Sequence, residues 1–300
     1  MSRSGEFELI HHFLAPLATT VGAGNLKDDA ALIDPPAGRQ LVVTTDSMVE
    51  NVHFLGDGPP SLIARRLLRC NLSDLAAMAA QPEGYLLNLA LPEWIDDAWL
   101  EGFAAGLAAD QEEFGLSLIG GDTVATPGAL TLTITAFGSA ATPVRRSGAK
   151  PGERVFVTGP VGDGCFGLKA VRGAFDVPRL AERYWLPSPR FGRAEGATAA
   201  TDISDGLVAD LGHICRASGV GAVIDLHAVP LSPEVAALGK DARLEALTGG
   251  DDYELVLTAP DSMANSTNIP VGRIVPGEGV TVLDAAGHPV PLTRQGYRHD

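Results

Sequence analysis

The chain has 300 residues, 45% hydrophobic and 20% charged, and its 22 basic against 37 acidic side chains give a formal charge of −15. That balance excludes a surface built for nucleic acid or an anionic membrane, both of which call for basic patches. No apolar run approaches the roughly 18 residues of a membrane span, and the segment from Met1 to Phe7 lacks the charged and apolar regions of a secretory signal, so the sequence reads as a cytoplasmic protein. Three hundred residues exceed one comfortable hydrophobic core, which predicts two domains. The three scattered cysteines, Cys70, Cys165 and Cys215, have no CxxC spacing and read as buried free thiols.

In chain order, Leu41 to Thr45 is a short β-branched run ending at Asp46. Ser61 to Ala80 carries apolar residues at helical spacing and stops near Pro82. A strand over Tyr85 to Leu91 and a helix over Ile95 to Phe114, closed by Gly115, follow. Leu116 to Ile119 reads as a strand running into Gly120-Gly121-Asp122, and Thr131 to Phe137 alternates as a strand. Small residues, Pro, Gly and the basic group Arg145, Arg146 and Lys150 fill Ser139 to Gly152, where the domain boundary is placed. The second half restarts with a strand at Arg154 to Thr158 and a helix from about Asp163. Helices are expected at Pro189–Ala200 and Asp205–Ser218, and strands at Ala222–Asp225, Tyr253–Thr258 and Ile269–Ile274. The fold class is mixed α/β in two domains.

Aspartates recur at the ends of these runs: Asp28-Asp29, Asp46, Asp74, Asp122, and Asp202 with Asp205. Carboxylates from so many segments repel one another unless cations sit among them. Oxygen-rich, sulfur-free sets suit hard ions such as Mg²⁺, which commonly brings substrate phosphates as further ligands. Each has a plainer use as well. Asp46 can cap a turn, Gly120-Gly121-Asp122 can be a strand-ending turn, and Ser204 or Asp205 can be the N-cap of the next helix. Asp74 is different, because it interrupts Leu72-Ser73-Asp74-Leu75-Ala76-Ala77, where an ionised carboxylate is costly unless paired or metal-bound. Gly162-Asp163-Gly164-Cys165-Phe166-Gly167 fits a dinucleotide fingerprint literally but lacks the second strand that a dinucleotide fold needs. No P-loop, protein-kinase signature or nucleophile elbow is present in the sequence.

Together these motifs resemble the thiamine-monophosphate kinase family. The likeness starts at Gly5-Glu6-Phe7-Glu8-Leu9-Ile10 and runs through Thr45-Asp46, Val52-His53-Phe54, Asn71 to Met78 and Gly120-Gly121-Asp122-Thr123. It resumes at Arg146 to Gly152, Asp202-Ile203-Ser204-Asp205-Gly206-Leu207, Gly249 to Leu255 and Gly296-Tyr297. The resemblance implies phosphorylation of thiamine monophosphate to thiamine diphosphate with ATP and Mg²⁺. It also implies a fold shared with aminoimidazole ribonucleotide synthetase, selenophosphate synthetase and a hydrogenase-maturation protein. In that fold residues 1–145 bind metal and ATP and pair in a homodimer, and residues 146–300 close over nucleotide and substrate. By position, Asp29, Thr44, Thr45, Asp46, Asp74, Asp122, Asp202 and Asp205 look like the Mg²⁺ ligands, with Asp46, Asp74, Asp122 and Asp205 the catalytic set. Gly121, Asp122, Arg146 and Ser204 look like ATP contacts, and His53, Asp251 and Tyr297 like contacts of thiamine monophosphate. The family usually has Glu at the position of Asp251 and Gly at that of Lys27. Two other readings stand beside this one: an ATP-dependent synthetase of the same fold acting on a ribonucleotide amide or formyl group, and a non-catalytic nucleotide-binding regulator.

Overall fold

Among the described residues, 4–27, 30–264 and 267–297, this computed structural model has ten strands in two sheets. Asp29, expected among the metal ligands, lies outside the described residues. The chain divides into two compact units, Met1–Leu75 with Ala80–Thr142, and Ala76–Ala79 with Pro143–Asp300. No helix of the described residues is long and apolar enough to cross a membrane. The three cysteines are buried and free.

The first unit begins with short helical turns, α1 (Glu6–Leu9) and those that follow it to Leu26. Its sheet contains β1 (Gln40–Val49), β2 (Gln81–Leu91), β3 (Ser117–Ala125) and β4 (Thr131–Ala140), in the order β1-β4-β2-β3. Only β2 and β3 run parallel, and α3 (Asp97–Phe114) makes the crossover that such a pair requires. The Asp96 carboxylate accepts the Trp99 N–H at 2.9 Å to start α3, and Gly115, at φ 71°, ends it. Helix α2 (Pro60–Ala77) links β1 to β2. It is bound to α3 through Asp110, which has no exposed surface. The Asp110 carboxylate accepts Arg65 Nε at 2.7 Å, and Arg69 Nε and Nη2 at 2.9 and 2.8 Å.

Pairing carries two strands further than the sequence suggests. β1 stays in register with β4 as far as Val49 opposite Thr131, so Asp46 lies within the strand and not beyond its end. β3 continues to Ala125, so Gly120-Gly121-Asp122 is strand and not turn. Gly121 is needed for strand packing: a Cβ there would come within 1.9 Å of the Leu87 carbonyl oxygen.

In the second unit the sheet order is β10-β7-β9-β5-β8-β6, from β5 (Arg154–Val157), β6 (Ala199–Asp202), β7 (Gly221–Asp225), β8 (Leu255–Ala259), β9 (Ile269–Val275) and β10 (Gly279–Leu283). Helices α4 (Asp163–Val171), α5 (Pro178–Trp185), α6 (Leu207–Ser218), α7 (Pro233–Ala237) and α8 (Lys240–Gly249) complete it. Val155, Val157 and Ile274 of the sheet bury against Leu207, Leu211 and Ile214 of α6. The helix expected over Pro189–Ala200 does not form. Gly192 and Gly196 take φ of 75° and 81°, and Ala199 to Asp202 pair with β8 as a strand.

Gly162 and Gly164, the tempting dinucleotide fingerprint, serve a packing role. Their N–H groups donate to the buried Asp252 carboxylate at 2.8 to 2.9 Å, and a Cβ on Gly164 would meet the Asp251 carbonyl oxygen at 2.0 Å. Glu254, fully buried, is held by Arg190 and by Arg183 Nη2 at 3.2 Å and Thr158 Oγ1 at 2.7 Å.

Breaking a buried ion pair from one side strands the other charge, at a cost of about 3–5 kcal/mol. Asp110→Ala is therefore expected to lower stability by about that amount, read by urea unfolding. A loss well under 1 kcal/mol would contradict this account of the α2–α3 contact.

Candidate functional site

Alternation along β1 sets which aspartates can meet in the first unit. Val42 and Met48 are buried, and Thr44 and Asp46 share their face. Thr44 Oγ1 donates to Asp74 Oδ2 of α2 at 2.6 Å, and the Asp46 carboxyl lies near enough to that of Asp74 for the two to perturb each other. Two carboxylates brought this near are eased by a shared proton or by a cation. Asn71, buried three residues before Asp74, accepts the Asp46 N–H at 3.1 Å and donates to the Leu67 carbonyl at 2.9 Å, fixing strand to helix. His53 follows in the turn after β1, its Nδ1 accepting the Val49 N–H at 3.0 Å. Loss of water around it raises the Asp46 carboxyl from its ordinary value, while Asp74 and then His53 pull it back down.

The register puts Thr45 and Asp122 on the other face. Ser47, Thr133, Asn88 and Asp122 lie in one row across the sheet, and Thr45 bonds Thr135 and the Ile134 carbonyl there. A cavity of about 530 Å³ opens on that face, lined by Ile10, Leu14, Leu26, Leu86, Ile119 and Phe137, with Asn88, Gly121 and Asp122 among its walls. Within the first unit, then, Thr44, Asp46 and Asp74 are gathered, and Gly121 and Asp122 border an apolar cavity.

The second unit gathers its own set around the loop between β6 and α6. The carbonyls of Ile203, Ser204 and Asp205 accept the N–H groups of Tyr253, Asp251 and Tyr297 at 2.9, 2.8 and 2.9 Å. These bonds bring together three motifs far apart in sequence. Asp251 and Tyr253 take left-handed backbone, φ 66° and 51°, beside Gly250 at 74°. Tyr253 Oη donates to Asp251 Oδ1 at 3.2 Å, which steadies a carboxylate one methylene shorter than glutamate. Arg146 Nε donates to Thr201 Oγ1 at 3.2 Å, next to the buried Asp202.

Three residues of this loop region escaped sequence reasoning: Asp210, Asp252 and Glu254. Asp210 follows Gly206 by four positions, close to the spacing at which an acidic side chain reaches back over a helix N-terminus. Burial, and then the charge of Asp205, raise its carboxyl to about 7. Burial raises that of Asp252 to about 8.

Asp205, Asp210 and His213 place ligand-type atoms within 4.8 Å of one another. His213 makes a poor metal ligand there. Its Nδ1 accepts from Arg216 Nη2 at 2.9 Å, so the neutral ring carries its hydrogen on Nε2. Burial and then Arg216 lower its pKa. The group reads as hydrogen-bonded support for Asp205.

Two family models divide the chain. One described as AIR synthase related protein, N-terminal domain, matches residues 27–140, and the corresponding C-terminal domain matches residues 150–268. A thiamine-monophosphate kinase of Caulobacter vibrioides is 41% identical over 98% of this chain and 90% of its own length. The chain belongs to the thiamine-monophosphate kinase family. The family's enzyme from Escherichia coli strain K12 is 38% identical over 98% of both chains. Among solved structures, the thiamine-monophosphate kinase of Stenotrophomonas maltophilia superposes with a TM-score of 0.83 at 36% identity, covering 97% of this chain and 99% of that one. A structure named AaThiL complexed with AMPPCP and TMP gives 0.82 at 31% identity, covering 99% and 97%. The hydrogenase maturation protein HypE in complex with ATP, at 18% identity and a TM-score of 0.77, shares the fold, as expected from the sequence.

The raised carboxyl of Asp252 has a measurable consequence. Folding lifts its pKa from an ordinary 3.8 to about 8, so the folded state binds this proton more tightly than the unfolded chain. The stability it contributes is complete below about pH 4 and is lost as the pH rises through about 8. Urea unfolding between pH 5 and 8 should show that decline, and Asp252→Asn should flatten it. An equally steep decline in the variant would contradict the assignment.

Proposed function

We propose that this protein transfers the γ-phosphoryl group of ATP to the phosphate of thiamine monophosphate, giving thiamine diphosphate and ADP. The observation that carries the reading is the group Thr44, Asp46 and Asp74, a hydroxyl bonded to one carboxylate with a second carboxylate perturbed by it, in a chain of this family. Such an all-oxygen set fits Mg²⁺. Asp46, Asp74 and Thr44 would hold one ion, while Thr45 and Asp122, on the opposite face of that sheet, and Asp202 and Asp205, in the second unit, are candidates for separate cation contacts. When bound, Mg²⁺ neutralises charge on the transferring phosphates.

The chain's own residues have separate tasks in this scheme. The apolar cavity beside Gly121 and Asp122 suits a nucleobase, being apolar with a few polar groups at its margin. Arg146 and the Ser204 hydroxyl would bind ATP phosphates. His53 of the first unit, and Asp251 and Tyr297 of the second, are each candidates for acceptor contacts, Tyr297 offering a ring that is 48% exposed for stacking on an aromatic heterocycle. A relative at 31% identity has been solved with AMPPCP, an ATP analogue, and TMP, which supports the same pair of substrates here. The acceptor is a phosphate already ionised near neutral pH, so its oxygen attacks the γ-phosphorus in line as the bond to the β-γ bridging oxygen breaks. The protein supplies position and charge rather than a strong base.

A homodimer fits the first unit's sheet. Leu41, Val43 and Val124 are 42%, 51% and 50% exposed on the face away from α2 and α3, an apolar area suited to a second copy. Cytoplasmic residence accords with the free, buried cysteines.

ADP release measured with and without thiamine monophosphate tests the reading. Asp46→Asn is expected to lower kcat by about a hundredfold or more with the fold intact. A folded variant with wild-type turnover removes Asp46 from the site. Asp251→Ala is expected to raise the acceptor KM by about tenfold while leaving ATP binding largely unchanged. An unchanged acceptor KM would break that assignment.

A further inference from the structure

The turn from Ile203 to Gly206 is held from both sides. On its carbonyl side it accepts the Tyr253, Asp251 and Tyr297 amides, and the approach is close. A Cβ on Gly250 would lie 2.4 Å from the Ser204 carbonyl oxygen, and one on Gly296 would lie 2.8 Å from that of Asp205. On its amide side, the N–H groups of Ser204, Asp205 and Gly206 all converge on one atom, Asp210 Oδ2, at 3.1, 3.1 and 3.0 Å. Asp210 is only 2% exposed and sits in the first turns of α6, where a carboxylate facing backbone N–H groups is favoured. Gly206, at φ 123°, gives the turn the backbone that aims three successive amides at a single oxygen.

We propose that Asp210 is a positioning residue for phosphoryl transfer. By gathering three amides it fixes the turn that carries Ser204 and Asp205, and through that turn's carbonyls it sets Asp251 and Tyr297. It thereby aligns the nucleotide-binding and acceptor-binding residues of the second unit without touching either substrate. The naming of those substrates rests on the function proposed above, whereas the hydrogen bonds that define the turn do not depend on it.

The arrangement requires an oxygen at this place and depends less on the charge. Asp210→Asn can turn its amide oxygen toward the three N–H groups, while Asp210→Ala leaves them without an acceptor. In steady-state kinetics with Mg-ATP and thiamine monophosphate, Asp210→Ala should raise both KM values by about tenfold, and Asp210→Asn should stay near wild type. Hydrogen–deuterium exchange on the protein without substrates gives a second readout. Amides 204–206, 251, 253 and 297 should exchange faster in Asp210→Ala, with those of β5 and β8 unchanged.

A purely structural Asp210 would lower the melting temperature yet leave both KM values and the local exchange of the folded protein as in wild type, and that result overturns the proposal. If Asp210→Ala does not fold, Asp210→Glu takes its place. It keeps the charge but displaces the oxygen, and wild-type KM values in that variant would equally overturn the proposal. If wild type forms no thiamine diphosphate while the exchange pattern behaves as described, the function proposed above has failed and the positioning role stands.

Discussion

A carboxylate taken from water must be met by donors or by a cation, and this chain carries 37 acidic against 22 basic residues. The structure answers its buried acids with its own groups. Asp110 has two arginines of α2, Glu254 has Arg183, Arg190 and a threonine, and Asp252 and Asp210 have backbone amides. Asp46 and Asp74 differ, since Asp46 is exposed, Asp74 is partly buried and each perturbs the other. That approach is unfavourable for two ionised groups and is eased once a cation joins them. The contrast separates acids that hold the fold together from the pair proposed above for the cation.

The buried acids also brace the turn that carries Asp251, proposed above for the acceptor. Asp252 ties the start of α4 to the strained turn that presents Asp251. Glu254, two residues on, anchors the same segment to two arginines at its exit into β8. Asp251 can therefore keep a left-handed backbone, a conformation that persists only where the surroundings over-determine it. Asn71 does comparable work in the first unit, tying the Asp46 backbone to the helix that carries Asp74.

Much of this was legible in the sequence, and the parts that were not have physical reasons. Local periodicity revealed α2, α3 and β4, and the ordered motifs revealed the family. A helix was expected over Pro189–Ala200, but two left-handed glycines and pairing with β8 prevailed. At Gly121, which the resemblance placed among the ATP contacts, the space a side chain would take is filled by the Leu87 carbonyl, a constraint invisible in the sequence. Asp110 and Asp252 look ordinary in sequence because their partners lie 41 and about 90 residues away. Which face of the sheet each aspartate occupies depends on register, and that separated Asp122 from Asp46 within the first unit.

The reaction's identity is decided by ³¹P NMR of the wild-type protein with Mg-ATP and thiamine monophosphate. Metal-free and acceptor-free samples serve as controls. New diphosphate resonances of thiamine diphosphate are expected with an equal amount of ADP, absent from both controls. ATP that stays intact in a folded, ATP-binding sample, or that yields only inorganic phosphate and ADP, would contradict it.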